Sequence, residues 1–187
     1  MLKWFRKGPS PYQTALAMVG VRSGDHVIVV GAADPDLPAE LALVTGLNGQ
    51  TLVVDRVAGR RESVEAAARR AGALLDFAEA DPASLPASAE SIDILVIAVG
   101  LASLTTDERA ASVNEAMRVL RPGGRVIVIE GGKASTRSGR HDERPDLTAD
   151  AILALLTIAG AKATRTLATV GGVTYHEARK PRTQIPV

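Results

Sequence analysis

The 187-residue sequence predicts an α/β fold: a three-layer sandwich built on a mainly parallel, seven-stranded sheet with a C-terminal antiparallel hairpin. Three observations carry this. From Val27 onward, compact β-branched runs alternate with Ala-rich amphipathic stretches, the pattern of parallel strands joined by crossover helices. The apolar runs are continuous rather than alternating, which means burial on both faces. Two strand-like stretches at the end of the chain flank Gly171-Gly172, a dipeptide suited to the positive φ angles of a two-residue hairpin.

The elements follow in order. Tyr12 to Val19, with Trp4 and Phe5 before it, is a hydrophobic N-terminal stretch expected to form a helix over the edge of the sheet, or else a packing or dimer contact. The parallel strands are expected at Val27 to Val30, Thr51 to Val54, Leu74 to Phe77, Ile92 to Val99 and Arg125 to Ile129. Between them, Asp34 reads as an N-cap with Pro35 at the first helical position, and that helix runs to about Thr45 before Gly46. A second helix spans Arg60 to Arg70. A third carries Val113, Ala116, Met117 and Leu120 on one stripe and is stopped by Arg121-Pro122-Gly123-Gly124. Leu147 to Ala159 is the fourth. Thr164 to Val170 and Val173 to Ala178 form the hairpin, and the polar connection from Gly131 to Asp146 reads as a functional or mobile loop.

Composition narrows the function. Twenty-two basic against 21 acidic residues give a net charge of +1, with no strong pull toward nucleic acid or an anionic membrane. No cysteine is present, so thiolate chemistry and cysteine-bound metals are excluded, and three scattered histidines do not make a metal site by spacing. The apolar runs are of strand length, short of the roughly 20 residues a bilayer span needs. A single cytoplasmic domain covering 1–187 is expected.

In an open parallel sheet, ligands bind outside the carboxyl ends of the strands. Asp55 ends a buried strand 24 residues after Gly31, where a carboxylate can accept hydrogen bonds from a ribose diol; the plainer alternative is a strand end in solvent, salt-bridged to Arg56. Asp81, one strand further, can reach an adenine amino group or simply cap the turn at Pro82. The first turn, Gly31-Ala32-Ala33-Asp34-Pro35-Asp36, lacks the later glycines of a dinucleotide loop. It also puts carboxylates where a pyrophosphate would lie, which disfavours NAD or FAD. S-adenosylmethionine has a ribose and an adenine, no phosphate, and positive charge on its sulfonium and amino groups. It suits an acidic turn.

The order of elements resembles a Rossmann-like class I methyltransferase dependent on S-adenosylmethionine. The likeness is carried by Gly24-Asp25-His26 through Gly31, by Ser91-Ile92-Asp93 through Ala98, and most specifically by Glu115 through Arg121-Pro122-Gly123-Gly124 to Val128. It implies a helical segment at 1–23 before a Rossmann-like core at 24–187. It implies S-adenosylmethionine as cofactor, with Gly31 and Ala33 in its loop, Asp55 and Arg56 at the ribose, Asp81 and Pro82 near the adenine, and Gly100 near the methyl-transfer position. The family's Gly-x-Gly-x-Gly loop is reduced here to Gly31, with Ala33 and Pro35 at the other glycine positions. No catalytic residue is assigned. His26 and His176 read as structural; His141, in the long loop with Lys133, Arg137 and Arg140, alone lies at the ligand end. A small-molecule acceptor is implied, without nucleic acid or membrane as partner, and a homodimer is a possible assembly. The alternative is a methyltransferase-like binding or oligomerisation module that has lost the cofactor.

Overall fold

The computed structural model describes residues 12–98, 101–131 and 147–182. Its elements are α1 (Gln13–Val19), β1 (His26–Val30), α2 (Asp36–Thr45), β2 (Gln50–Asp55), α3 (Arg60–Ala71), β3 (Asp76–Glu79), β4 (Ile92–Ile97), a short 3-10 turn (Leu101–Ser103), α4 (Thr106–Val119), β5 (Leu120–Gly131), α5 (Ala149–Ile158), β6 (Lys162–Val170) and β7 (Val173–Arg179). The seven strands lie in the order β3-β2-β1-β4-β5-β7-β6. The first five run parallel, and β7 is antiparallel to both β5 and β6.

Successive strand residues point to opposite faces, and β1 shows what each face meets. Ile28 and Val30 pack with Val113, Ala116 and Met117 of α4 and with Ile152 and Leu156 of α5. Val27 and Val29 pack with Ala15 and Val19 of α1 and Leu37 and Leu41 of α2. Val64 of α3 packs with Val53 and Phe77. Two apolar faces, each closed by helices, hold the sheet in the middle of the molecule.

Several boundaries differ from the sequence expectations. α2 begins at Asp36, and Pro35 stands in the N-cap position without a side-chain cap; the Asp34 carboxylate nevertheless accepts the Asp36 N–H at 3.2 Å. β3 starts two residues later than expected and is an edge strand, with Leu74 exposed and only Phe77 buried in its own length. Burial on both faces therefore fails for this one strand. Leu120 does not close the apolar stripe of α4 as a helical residue: it turns extended, stays fully buried, and opens β5, which takes in Arg121 to Gly124. That helix starts with a capping box, Thr105 and Glu108 each receiving the other's backbone N–H.

The hairpin has the expected form. Gly171 and Gly172 both have positive φ, +59° and +78°, and Val170 pairs with Val173 across them. Behind it, Glu177 is buried among arginines. Its oxygens lie 2.5 Å from Arg125 Nε and 2.7 Å from Arg165 Nη2, while Arg125 also donates to the Val19 carbonyl at the end of α1. Burial pushes the Glu177 acid upward, but the hydrogen bonds from Arg165 and Arg125 outweigh it and hold the carboxyl below its ordinary range. His176, equally buried, bonds Thr166 Oγ1 at 3.0 Å and is structural, while His26 opens β1 at the amino edge of the sheet.

Candidate functional site at the carboxyl edge

The carboxyl ends of β1, β2, β3, β4 and β5 meet along one edge of the sheet, so the segments that follow them form a single neighbourhood. The turn after β1 is sharp. Gly31 has φ +93°, a region open mainly to glycine, and its N–H donates to the Val54 carbonyl at 2.8 Å. Ala32 is buried and its N–H donates to Asp55 Oδ2 at 2.8 Å, while Ala33 and Pro35 remain partly exposed. The Ala33 and Asp34 N–H groups find no acceptor among the described residues. Beside these donors stands the Asp34 carboxylate, which accepts the Tyr12 hydroxyl on both oxygens at 2.8 and 2.9 Å. Burial and that carboxylate together push the Tyr12 hydroxyl well above its ordinary pKa, so it stays a donor.

Asp55 does not end its strand in solvent. It is 6% exposed and faces the turn. Its Oδ1 accepts the Val57 N–H at 2.9 Å, and its Oδ2 accepts both Ala32 N–H and Arg60 Nη1, the latter at 2.7 Å. The expected partner in the plainer alternative, Arg56, goes elsewhere: its guanidinium bridges Asp81 and Glu108, at 2.9 Å each. Asp81 Oδ1 also accepts the Ala83 N–H at 2.8 Å. The Arg56 hydrogen bond and that N–H hold the Asp81 carboxyl below its usual range. Glu108, held by the Thr105 N–H and by Arg56, is pulled down to about 2. Pro82 offers no N–H. It lines a narrow apolar slot of about 10 Å³ with Val30, Ile97, Leu101 and Leu104, and the Ser112 hydroxyl, buried there, has no hydrogen-bond partner among the described residues. A larger cleft of about 210 Å³ lies among His26, Gln50, Ser88 and Ser91, at the opposite end of the strands.

One residue of the edge, in a strand-end segment that the sequence points to, was given no role there. Glu130, near the end of β5, accepts the Leu101 N–H on Oε1 at 2.6 Å. Arg109 holds the same turn from the other side, donating to the Leu101 and Ala102 carbonyls. Burial raises the Glu130 acid to about 7, against the opposing effects of the Leu101 N–H and the Arg109 charge. The signal was the one that found Asp55, a carboxylate closing a buried strand. Gly100, His141, Lys133, Arg137 and Arg140 lie outside the described residues, as do Trp4 and Phe5. Among the described residues no three His, Asp or Glu side chains gather as metal ligands, and no helix is long and apolar enough to cross a membrane.

The sheet order and terminal hairpin define the class I methyltransferase fold, and solved structures match it. A SAM-dependent methyltransferase from Aquifex aeolicus superposes with a TM-score of 0.74 at 16% identity, over 92% of this chain and 94% of that one. The N-methyltransferase NodS from Bradyrhizobium japonicum gives 0.68 at 16% identity, over 91% and 94%. The [4+2]-cyclase SpnF gives 0.68 at 18%, over 90% and 79%, and as it is a cyclase by name, the fold by itself does not select methyl transfer.

The ubiE/COQ5 methyltransferase family model matches residues 12–141, well over half of the sequence, and the chain belongs to that family. Among curated relatives, the ubiquinone/menaquinone biosynthesis C-methyltransferase UbiE of Pseudomonas putida (strain F1) is 29% identical over 127 residues, covering 65% of this chain and 48% of the relative. The Azotobacter vinelandii protein of the same name is 30% identical over 125 residues, covering 64% and 47%. The chain spans about half the length of the curated relatives it matches.

Proposed function

We propose that the chain is an S-adenosylmethionine-dependent methyltransferase acting on a small molecule by in-line displacement at the sulfonium. The observation that carries this is the turn after β1. Two N–H groups without an acceptor among the described residues, those of Ala33 and Asp34, stand beside the Asp34 carboxylate. An anion acceptor next to a cation acceptor is complementary to the carboxylate and ammonium of an amino-acid tail, and it repels a pyrophosphate. In this reading Gly31 and Ala33 hold the tail, Asp55 holds the ribose, Asp81 and Pro82 border the adenine, Arg56 borders the site as the residue after Asp55 and the partner of Asp81, and Gly100 lies near the transferred methyl.

Methyl transfer gives the acceptor a new bond and converts the sulfonium to a thioether; a carbon, nitrogen or oxygen acceptor then sheds a proton. Glu130 is our candidate to receive it, because a carboxyl with a pKa of about 7 sits near the optimum for a general base at neutral pH. The relatives' names refer to C-methylation, which makes a carbon acceptor the nearest precedent. Positioning alone supplies a large share of such catalysis, up to roughly 7–11 kcal/mol.

A second reading, a binding module without cofactor, draws on the arginines: Arg60 engages Asp55 and Arg56 engages Asp81, the two carboxylates a nucleoside would use. Mass spectrometry of denatured, freshly purified protein separates the two. Co-purified S-adenosylmethionine or S-adenosylhomocysteine supports the enzyme. Protein that carries neither, and takes up neither at millimolar concentration, is the binding module.

A further inference from the structure

Asp55 receives three donors on a carboxylate that offers about four lone-pair positions. A ribose diol needs two of them, so one donor must leave before the sugar is held on both hydroxyls. The donors are unequal. The Ala32 and Val57 N–H groups belong to the backbone of the turn after β1 and the turn after β2, and withdrawing either deforms the edge itself. Arg60 reaches back on a flexible stem from the first turn of α3, and its side chain is 32% exposed, so it can return to water. It is the displaceable donor.

Arg56 acts differently. It crosses from the end of β2 to Asp81 beyond β3 and to Glu108 at the start of α4. Among the described residues Asp81 Oδ2 takes no hydrogen bond, so an adenine amino group would find an acceptor there once the guanidinium swings aside.

We propose that Arg60, and to a lesser degree Arg56, set the affinity of this edge for an adenine nucleoside by competing for the carboxylates the nucleoside must use. The proposal rests on the cofactor reading above and adds that the site is closed by its own cations before the ligand arrives. In each pair the guanidinium is partly exposed and can return to water, so the competition weakens binding without abolishing it. The two readings of the site are thereby linked. A chain of this design holds its cofactor weakly, and that weakness resides in two side chains as well as in the glycine-poor turn.

The test is titration calorimetry of S-adenosylhomocysteine into wild-type protein and into Arg60→Gln, Arg56→Gln and Arg61→Gln. Arg61 lies over the Phe77 ring and serves as a control of equal charge change. The proposal expects Arg60→Gln to bind about tenfold more tightly than wild type and Arg56→Gln about threefold, with Arg61→Gln unchanged. Should Arg60→Gln not fold, Arg56→Gln carries the test, because its partners are exposed and its loss strands no buried charge. Wild-type binding with equal or weaker affinity in both site variants overturns the competition and leaves the cofactor reading intact. Absence of binding in every protein overturns both.

Discussion

The Tyr12 hydroxyl, 22 residues from Asp34 in sequence, donates to both oxygens of that carboxylate and fastens the N-terminal segment to the turn after β1. Hydrogen bonds to a charged partner contribute roughly 1.5–3 kcal/mol. Tyr12→Phe keeps the ring and removes the donor, so unfolding in urea is expected to show a loss of about 1–2 kcal/mol. An unchanged midpoint means that water replaces the bond without penalty.

Glu177 gathers Arg125 and Arg165 beneath the hairpin while being 2% exposed itself. Removing one partner of such a buried group leaves the others uncompensated, at about 3–5 kcal/mol. Glu177→Ala is therefore expected to lower the thermal midpoint sharply, and Arg125→Met in the same chain to recover part of the loss. Additive effects in the double variant would mean that the two residues do not interact.

Glu130 makes stability depend on pH. Its folded pKa, about 7, lies above the ordinary 4.5, so the folded state holds the proton more tightly. The contribution is whole below pH 4.5 and is lost as pH rises through 7, about 3 kcal/mol at most. Glu130→Gln still accepts the Leu101 N–H but does not ionise. Denaturant midpoints measured from pH 5 to pH 8 are expected to fall more steeply for wild type than for this variant; parallel curves would place the Glu130 pKa near its ordinary value.

Gly31 holds the first turn at φ +93°, where a β-carbon is strained. Gly31→Ala is expected to cost at least about 1 kcal/mol and to weaken nucleoside binding by more than its effect on folding. A variant of wild-type stability and affinity would show that the turn relaxes to another backbone conformation.

Much of this architecture was legible because local chemistry dictated it. Continuous apolar runs marked β1, β2 and β4, and Gly171-Gly172 marked the hairpin. β3 was misplaced because Leu74 is apolar without being core, 75% exposed, and Leu75, though packed against the core, precedes the strand. Leu120 was read as helical since its spacing fits the stripe of α4, but tertiary pairing with Ile92 draws it into β5. Strand-end position sufficed to place Asp55 and Asp81 at the carboxyl edge of the sheet. The partners of those carboxylates were not legible: Arg60 returns to Asp55 from a helix five residues on, and Arg56 reaches Glu108 across 52 positions of sequence. Side-chain reach of that kind has no periodicity to read.

The proposed site holds a sulfonium nucleoside at the turn after β1, with its amino-acid tail on the Ala33 and Asp34 amides. At 19.5 kDa the protein suits amide-resolved NMR. Titration with S-adenosylhomocysteine is predicted to shift the Gly31, Ala33 and Asp34 amides first and furthest, followed by those near Asp55 and Asp81. Shifts confined to the amino-edge cleft around His26 and Ser91, or no shift at saturating ligand, would contradict it.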